Sequence, residues 1–247
     1  MKLKFTGFSD PGLIRSNNQD AFYIDPEGRF FIVADGMGGH AGGEEASRIA
    51  SMRIKEHLLS NWESSKSSEE LLQSALLEAN DAILQDQQEH SERADMGTTV
   101  VAVVFRHNES PFNEPPYVAH IGDSRLYRFR SSLLELITED HTWVARALKM
   151  GDITIEEARN HPFRHVLSRC LGRDDLYEVD VQPLDVKSGD RLLLCSDGLT
   201  EELADEKIRY YLEEKTALEK TALSLIEGAK DQGGHDNITV VIAELED

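Results

Sequence analysis

Short apolar runs, many rich in Val, Ile, Phe and Tyr, recur at 5–9, 21–24, 30–34, 98–105, 117–121, 125–129, 179–184, 191–195 and 237–245. Runs of this length and character predict β-strands. Elsewhere the period changes: Leu72, Leu76, Ala79 and Ile83 fall at helical spacing in a helix expected over about 68–92, with Ser67 and Glu70 as a capping box before it. Two further helices are expected over about 43–62 and 216–230, the second stopped by Gly233-Gly234. Between Asp140 and Gly172 the pattern breaks into short helical pieces, with Thr154 and Glu157 as another capping box and Pro162 as a break. This stretch reads as a flap at about 141–172 within one domain spanning 1–247. Segments 61–69 and 108–116 read as loops, the first rich in Ser and Glu, the second holding Pro111, Pro115 and Pro116. Strands interrupted by helices without regular alternation predict an α+β layered fold with mainly antiparallel sheets.

Composition narrows the function classes. The 247 residues include 46 acidic and 26 basic ones, a formal charge of −20. Such a chain is a poor binder of nucleic acid or anionic membrane, both of which require clustered Lys and Arg. The longest aliphatic stretch, 100–105, is far shorter than the roughly 18–20 residues of a membrane span, so no transmembrane helix is expected. The first residues lack the apolar core of a secretory signal. Cys170 and Cys195 show neither a disulfide framework nor zinc-ligand spacing, which favours a reducing, cytoplasmic compartment. No arginine lies six residues after either cysteine, where Leu176 and Glu201 stand, so cysteine-nucleophile phosphate chemistry is excluded.

The candidate chemistry lies where apolar strands meet aspartates. The run 30–34 leads into Asp35-Gly36-Met37-Gly38-Gly39-His40; 117–121 leads through Gly122 to Asp123; 191–195 leads through Ser196 to Asp197-Gly198; and Asp236-Asn237 precedes the last strand. An isolated Asp-Gly is most often only a turn. Four strand-end aspartates, however, would converge if their strands lie side by side, and converging carboxylates repel unless a cation neutralises them. Oxygen donors without a Cys or His cluster suit Mg²⁺ or Mn²⁺. Near the start, Arg15 and Asp20 read either as a surface pair or as part of that cluster, where a guanidinium would bind phosphate through two hydrogen bonds. His40 reads as a turn residue or as a general acid. The sequence identifies no partner for His90, His107 or His161, and Cys195 reads as a small buried residue.

In chain order the motifs are Asp10-x-Gly12-x-x-Arg15-x-x-Asn18-x-Asp20, Val33-Ala34-Asp35-Gly36-Met37-Gly38-Gly39-His40, Met96-Gly97-Thr98-Thr99 and His120-Ile121-Gly122-Asp123-Ser124-Arg125-Leu126-Tyr127. Leu136-x-Thr138-x-Asp140-His141, Leu194-x-Ser196-Asp197-Gly198-Leu199 and Asp236-Asn237-Ile238-Thr239 complete the series. Together they resemble the metal-dependent Ser/Thr protein phosphatases of the type 2C family, especially compact bacterial and cyanobacterial members. The resemblance implies a four-layer α/β/β/α sandwich, two central antiparallel sheets flanked by helix pairs. It implies two Mg²⁺ or Mn²⁺ ions bridged by Asp35, with the Gly36 carbonyl on one and Asp197 and Asp236 on the other. A third, weaker ion would involve Asp123 with Asp197, while Asp20 would hold metal-bound waters, Arg15 the phosphate and His40 the general-acid role. The implied reaction is hydrolysis of phosphoserine and phosphothreonine on proteins by a metal-activated hydroxide, without a phosphoenzyme. Phosphorylated signalling proteins or Ser/Thr kinases would be the substrates, and a cytoplasmic monomer working in signal transduction is expected. A non-catalytic module that binds metal and phosphoprotein is the competing reading; it has no need for Arg15, Asp20 and His40 together. A two-metal nuclease is disfavoured by the charge and the absence of a basic run.

Overall fold

The computed structural model describes residues 2–38, 42–106 and 114–246. The chain opens with β1 (Lys2–Asp10), β2 (Asp20–Ile24) and β3 (Phe30–Met37), followed by the helices α1 (Gly42–Ser60) and α2 (Ser68–Glu89). Five strands come next: β4 (Gly97–Thr98), β5 (Val100–Val104), β6 (Tyr117–Ile121), β7 (Arg125–Arg130) and β8 (Leu133–Leu136). After α3 (Trp143–Met150) and α4 (Ile155–Arg159) come β9 (Asp180–Pro183) and β10 (Arg191–Cys195). The helices α5 (Asp197–Thr200), α6 (Asp205–Glu213) and α7 (Leu218–Gln232) lead to the final strand, β11 (Ile238–Glu246).

Two sheets result, one ordered β1-β11-β10-β7-β8 and the other β2-β3-β5-β6-β9 with β4 paired to β3. Every pairing is antiparallel. The apolar runs are continuous because both faces of the central strands are buried. Phe30, Ile32 and Ala34 pack against α1 and α2, whereas the alternate residues Phe31 and Val33 face the opposing sheet. The same division holds in the other sheet, where Leu193, Cys195, Val240 and Ile242 meet α6 and α7 while Leu192, Leu194, Val241 and Ala243 fill the space between the sheets. Three apolar clusters therefore form the three interfaces of an α/β/β/α sandwich.

The expected helices form with ends shifted by a few residues, and α2 carries its capping box on Ser67 and Glu70. Three of these elements were not expected: α5, which starts at Asp197, α6, whose Ile208 and Leu212 are buried, and β8, joined to β7 by a tight turn with Ser131 and Ser132 at φ 49° and 64°. The run at 30–34 also extends further than expected, because Gly36 and Met37 pair with Thr98 and Gly97 and hold the chain extended through Asp35. Asp35 therefore projects from within a strand rather than from a turn.

Segment 141–172 leaves the sandwich and returns to it. Its two ends are joined by a bridge between Thr142 and Leu167, by Trp143 N–H donating to Val166 O at 2.8 Å and by Ser168 N–H donating to His141 O at 2.8 Å. Within it the Trp143 ring stacks on His161 with centroids 4.7 Å apart, a partner the sequence did not identify. His90 likewise stands 3.9 Å from Asp86 and 3.5 Å from Glu92. His107 and most of the expected loop at 108–116 lie outside the described residues. Among the described residues no helix is long and apolar enough to cross a membrane.

Candidate active site

One edge of the sandwich carries a cleft of about 470 Å³ whose lining includes Arg15, Asp35, Gly36, Asp123, Asp197 and Asp236. Sheet register brings the carboxylates together. Asp20 at the start of β2 lies directly opposite Asp35 in β3, a like-charge pair that a sheet does not tolerate without compensation. Asp197 follows β10, Asp236 precedes β11, and these two strands are neighbours, so both side chains emerge at the same edge.

Each carboxylate is held by local structure. The main chain of Asp35 is fixed by Thr99, whose hydroxyl accepts its N–H at 3.1 Å, and by the Thr98 hydroxyl, which donates to its carbonyl at 2.8 Å. Gly36 must be glycine: a Cβ there would stand 1.9 Å from the Gly43 carbonyl oxygen. Gly36→Ala is expected to cost about 3 kcal/mol and lower Tm by about 6–12 °C in a thermal melt, and an unchanged Tm would refute the close approach. Gly122 turns the chain towards Asp123 at φ +101°, and a Cβ there would stand 2.5 Å from the Thr99 side chain. Asn237 ties the N-terminal loop to β11, accepting Gln19 N–H at 2.8 Å and donating to the carbonyls of Asn17 and Pro11 at 2.9 and 3.0 Å. That loop presents Arg15, whose Nη2 donates to Asp236 Oδ2 at 2.7 Å.

Asp20 lies behind Asp35. Its Oδ2 accepts from the hydroxyls of Ser196 at 2.7 Å and Thr239 at 2.6 Å, whereas its Oδ1 is buried with no hydrogen-bond partner. Burial, opposed by those two hydroxyls, raises its pKa to about 7, and Asp197 and Asp236 add to the rise. Asp35 is raised well above the usual carboxylate range by burial and then by Asp20, Asp197 and Asp123. Burial also raises Asp123, with Asp197 as the next cause, and Asp197, with Asp236 adding to the rise. A cluster of carboxyls that resist ionisation, one with an orphaned buried oxygen, is a donor set suited to a cation. Carboxylate and carbonyl oxygens fit a hard divalent ion, Mg²⁺ or Mn²⁺.

The structure thus gathers Arg15, Asp35, Gly36, Asp123, Asp197 and Asp236 around one cleft with Asp20 behind it, and His40 lies outside the described residues. Sequence reasoning did not single out His165 or Glu201. His165 lines the cleft from segment 141–172, and its Nδ1 pairs with Glu201, whose pKa burial and Asp197 raise to about 7. Neither residue carried a signal, since each sits in polar sequence far from the other. Ser196, Thr239 and Asn237 stood inside quoted motifs, yet their hydrogen-bonding roles become visible only once β2, β10 and β11 are brought together.

Residues 15–225 match the family model described as Protein phosphatase 2C. The serine/threonine protein phosphatase PstP of Mycobacterium tuberculosis is 38% identical over 245 residues, covering 99% of this chain and 45% of that protein. The chain therefore spans about half the length of that relative. The crystal structure of PstP superposes with a TM-score of 0.88 at 36% identity, covering 99% of both chains. A structure of the PstP catalytic domain in complex with two manganese ions gives a TM-score of 0.85 at 35% identity, covering 99% of both chains. The serine/threonine phosphatase stp of Listeria monocytogenes is 35% identical over 242 residues, 96% of this chain and 93% of that protein.

Proposed function

The chain belongs to the protein phosphatase 2C family, and on that premise we propose that it hydrolyses phosphoserine and phosphothreonine on proteins in a reaction dependent on Mg²⁺ or Mn²⁺. The observation that carries this reading is the convergence of Asp35, Asp123, Asp197 and Asp236 on a cleft whose only described Arg or Lys is Arg15. Asp35, the Gly36 carbonyl, Asp197 and Asp236 would hold two ions, as the two manganese ions of the PstP catalytic domain support, and Asp123 would share a third with Asp197. Divalent cations bound there neutralise the carboxylates, draw charge from the phosphoryl oxygens and lower the pKa of water.

The chain's own residues supply the rest. Arg15, half exposed and already at the cleft, would bind the phosphate through its planar guanidinium and orient it. The free Oδ1 of Asp20 would accept a hydrogen bond from water beside the ions. His40 would donate the proton that the departing Ser or Thr oxygen requires. Phosphorylated signalling proteins or kinases would be the partners, with the chain acting in the cytoplasm as a monomer. The net charge of −20 argues against nucleic acid as substrate.

The test is phosphate release from a phosphothreonine peptide with Mn²⁺ and with EDTA. Release with Mn²⁺ that EDTA abolishes is expected, and Arg15→Ala should raise KM for the peptide about tenfold or more, the scale of a lost charge-assisted hydrogen bond. A flat baseline with Mn²⁺ would instead favour the non-catalytic binding module.

A further inference from the structure

The placement of Asp123 depends on the turn before it, and one side chain outside the cleft grips that turn. His141 holds Gly122 twice: its main-chain N–H donates to the Gly122 carbonyl at 2.8 Å, and its ring Nδ1 accepts the Gly122 N–H at 3.1 Å. A neutral imidazole that accepts at Nδ1 carries its proton on Nε2. That nitrogen lies 2.9 Å from Asp180 Oδ2, so the Asp180 carboxylate selects the tautomer that leaves Nδ1 bare. Asp180 Oδ1 in turn accepts from Arg169 Nη1 at 2.9 Å, and Arg169 Nη2 donates to the Glu178 carbonyl at 2.8 Å. Behind His141 the buried ring of His120 packs against it, centroids 4.6 Å apart.

The chain of contacts spans the root of the flap. His141 begins the flap, Arg169 lies on its return, and Asp180 sits in β9 opposite His120 of β6. None of His141, Arg169 and Asp180 lines the cleft, yet together they fix the turn that presents Asp123 to it. The donor atoms of His120, His141 and Asp180 also lie within 4.8 Å of one another. A cation held directly by these three is disfavoured, because the Arg169 guanidinium already stands 3.2 Å from His141 Nε2.

We propose that His141 is a positioning residue for Asp123, held in its tautomer by Asp180, so that the Arg169–Asp180–His141 chain sets the carboxylate that completes the divalent-cation site. The inference rests on the metal-dependent reading above and deepens it. Calorimetric titration of the full chain with Mn²⁺ reads it without reference to turnover. Asp123→Ala defines the binding step that depends on this carboxylate. His141→Ala is expected to weaken that step about 10–100-fold, as loss of a residue that orients a metal ligand does, while leaving the step held by Asp35, Asp197 and Asp236 within about twofold. His141→Asn, whose carboxamide offers an acceptor near the Nδ1 position, is expected to restore most of the lost affinity. Asp180→Asn, which still accepts from Nε2–H, should bind Mn²⁺ like the unsubstituted chain, whereas Asp180→Ala should weaken the Asp123 step with His141→Ala.

Unchanged binding by His141→Ala, equal weakening of both steps, or a loss in His141→Asn as deep as in His141→Ala would each overturn the positioning role. Should His141→Ala fail to fold, Asp180→Ala decides the question at a half-exposed carboxylate, and unchanged binding there overturns the role equally. A chain with no substitution that binds no Mn²⁺ at all would overturn the metal-dependent reading instead, so the two failures are distinguishable.

Discussion

Asp35→Asn is expected to abolish Mn²⁺-dependent phosphate release and at the same time to raise the melting temperature of the metal-free chain at neutral pH. Activity should fall by about 10³-fold or more, because the carboxylate that faces the others is lost from a site where electrostatic stabilisation carries the chemistry. Stability should move the other way. The Asp35 carboxyl is driven above the usual range by burial, then by Asp20, Asp197 and Asp123, so its ionised form is disfavoured in the folded chain. A neutral amide of the same size removes that penalty while the main-chain bonds to Thr98 and Thr99 remain. Saturating Mn²⁺ reverses the order. At about 100 times Kd, bound ion stabilises the unsubstituted chain by about 2.7 kcal/mol, a rise of roughly 5–11 °C, and Asp35→Asn should gain little of it. A substitution that stabilises the metal-free chain and destroys activity marks a functional carboxylate, since a structural one would lose stability on both counts. Retained activity, or a lower Tm in EDTA than that of the unsubstituted chain, would remove Asp35 from the proposed role.

The strands were legible because burial on both faces leaves few polar residues in them: Phe30 to Ala34 and Val100 to Val104 read as unbroken apolar runs, and each supplies alternate residues to two apolar clusters. The capping boxes at Ser67 and Thr154 were legible because their chemistry is local. What the sequence withheld was set by distant partners. Asp35 interrupts an apolar run and so reads as its end, but pairing of Gly36 and Met37 with β4 continues the strand past it. The hairpin between β7 and β8 turns on Ser131 and Ser132, residues without the Asn-Gly or Asp-Gly signature of such turns. The aspartates themselves were visible, each beside an apolar run. Their supports were not: Ser196 and Thr239 reach Asp20 across 176 and 219 residues of sequence, and His141 reaches Gly122 from the far side of a strand pair. Arg15 was placed near the cluster by its motif, whereas its actual partner, Asp236, lies 221 residues away.

The metal-free chain should lose stability as pH rises from about 5 to about 8, opposite to the behaviour of a protein held together by surface ion pairs. The direction follows from proton bookkeeping. Asp20 has an ordinary value of 3.8 and is raised to about 7 in the folded chain, and Asp35, Asp123 and Asp197 are raised as well, with burial the first cause in each case. Between those values the folded state holds protons that the unfolded state has released, so the slope of unfolding free energy with pH is negative. Stability is complete below about pH 4 for these groups and is lost as pH passes through the folded values. For Asp20 alone a shift of this size corresponds to about 4 kcal/mol, or roughly 8–16 °C in Tm for a chain of this length. The mutual repulsion of the surface carboxylates that make up most of the −20 charge is screened at high salt, which isolates the trend of the buried cluster. Thermal melts in EDTA at 0.5 M NaCl should therefore show Tm falling from pH 5 to pH 8, while melts in Mn²⁺ stay nearly level, because bound cations favour the ionised carboxylates. Asp20→Asn should flatten the EDTA profile by removing a titrating group whose buried Oδ1 has no hydrogen-bond partner. A metal-free chain whose Tm is constant or rises across that range would show that these carboxylates are already compensated within the protein, and with that the physical case for a cation-filled cleft would fall.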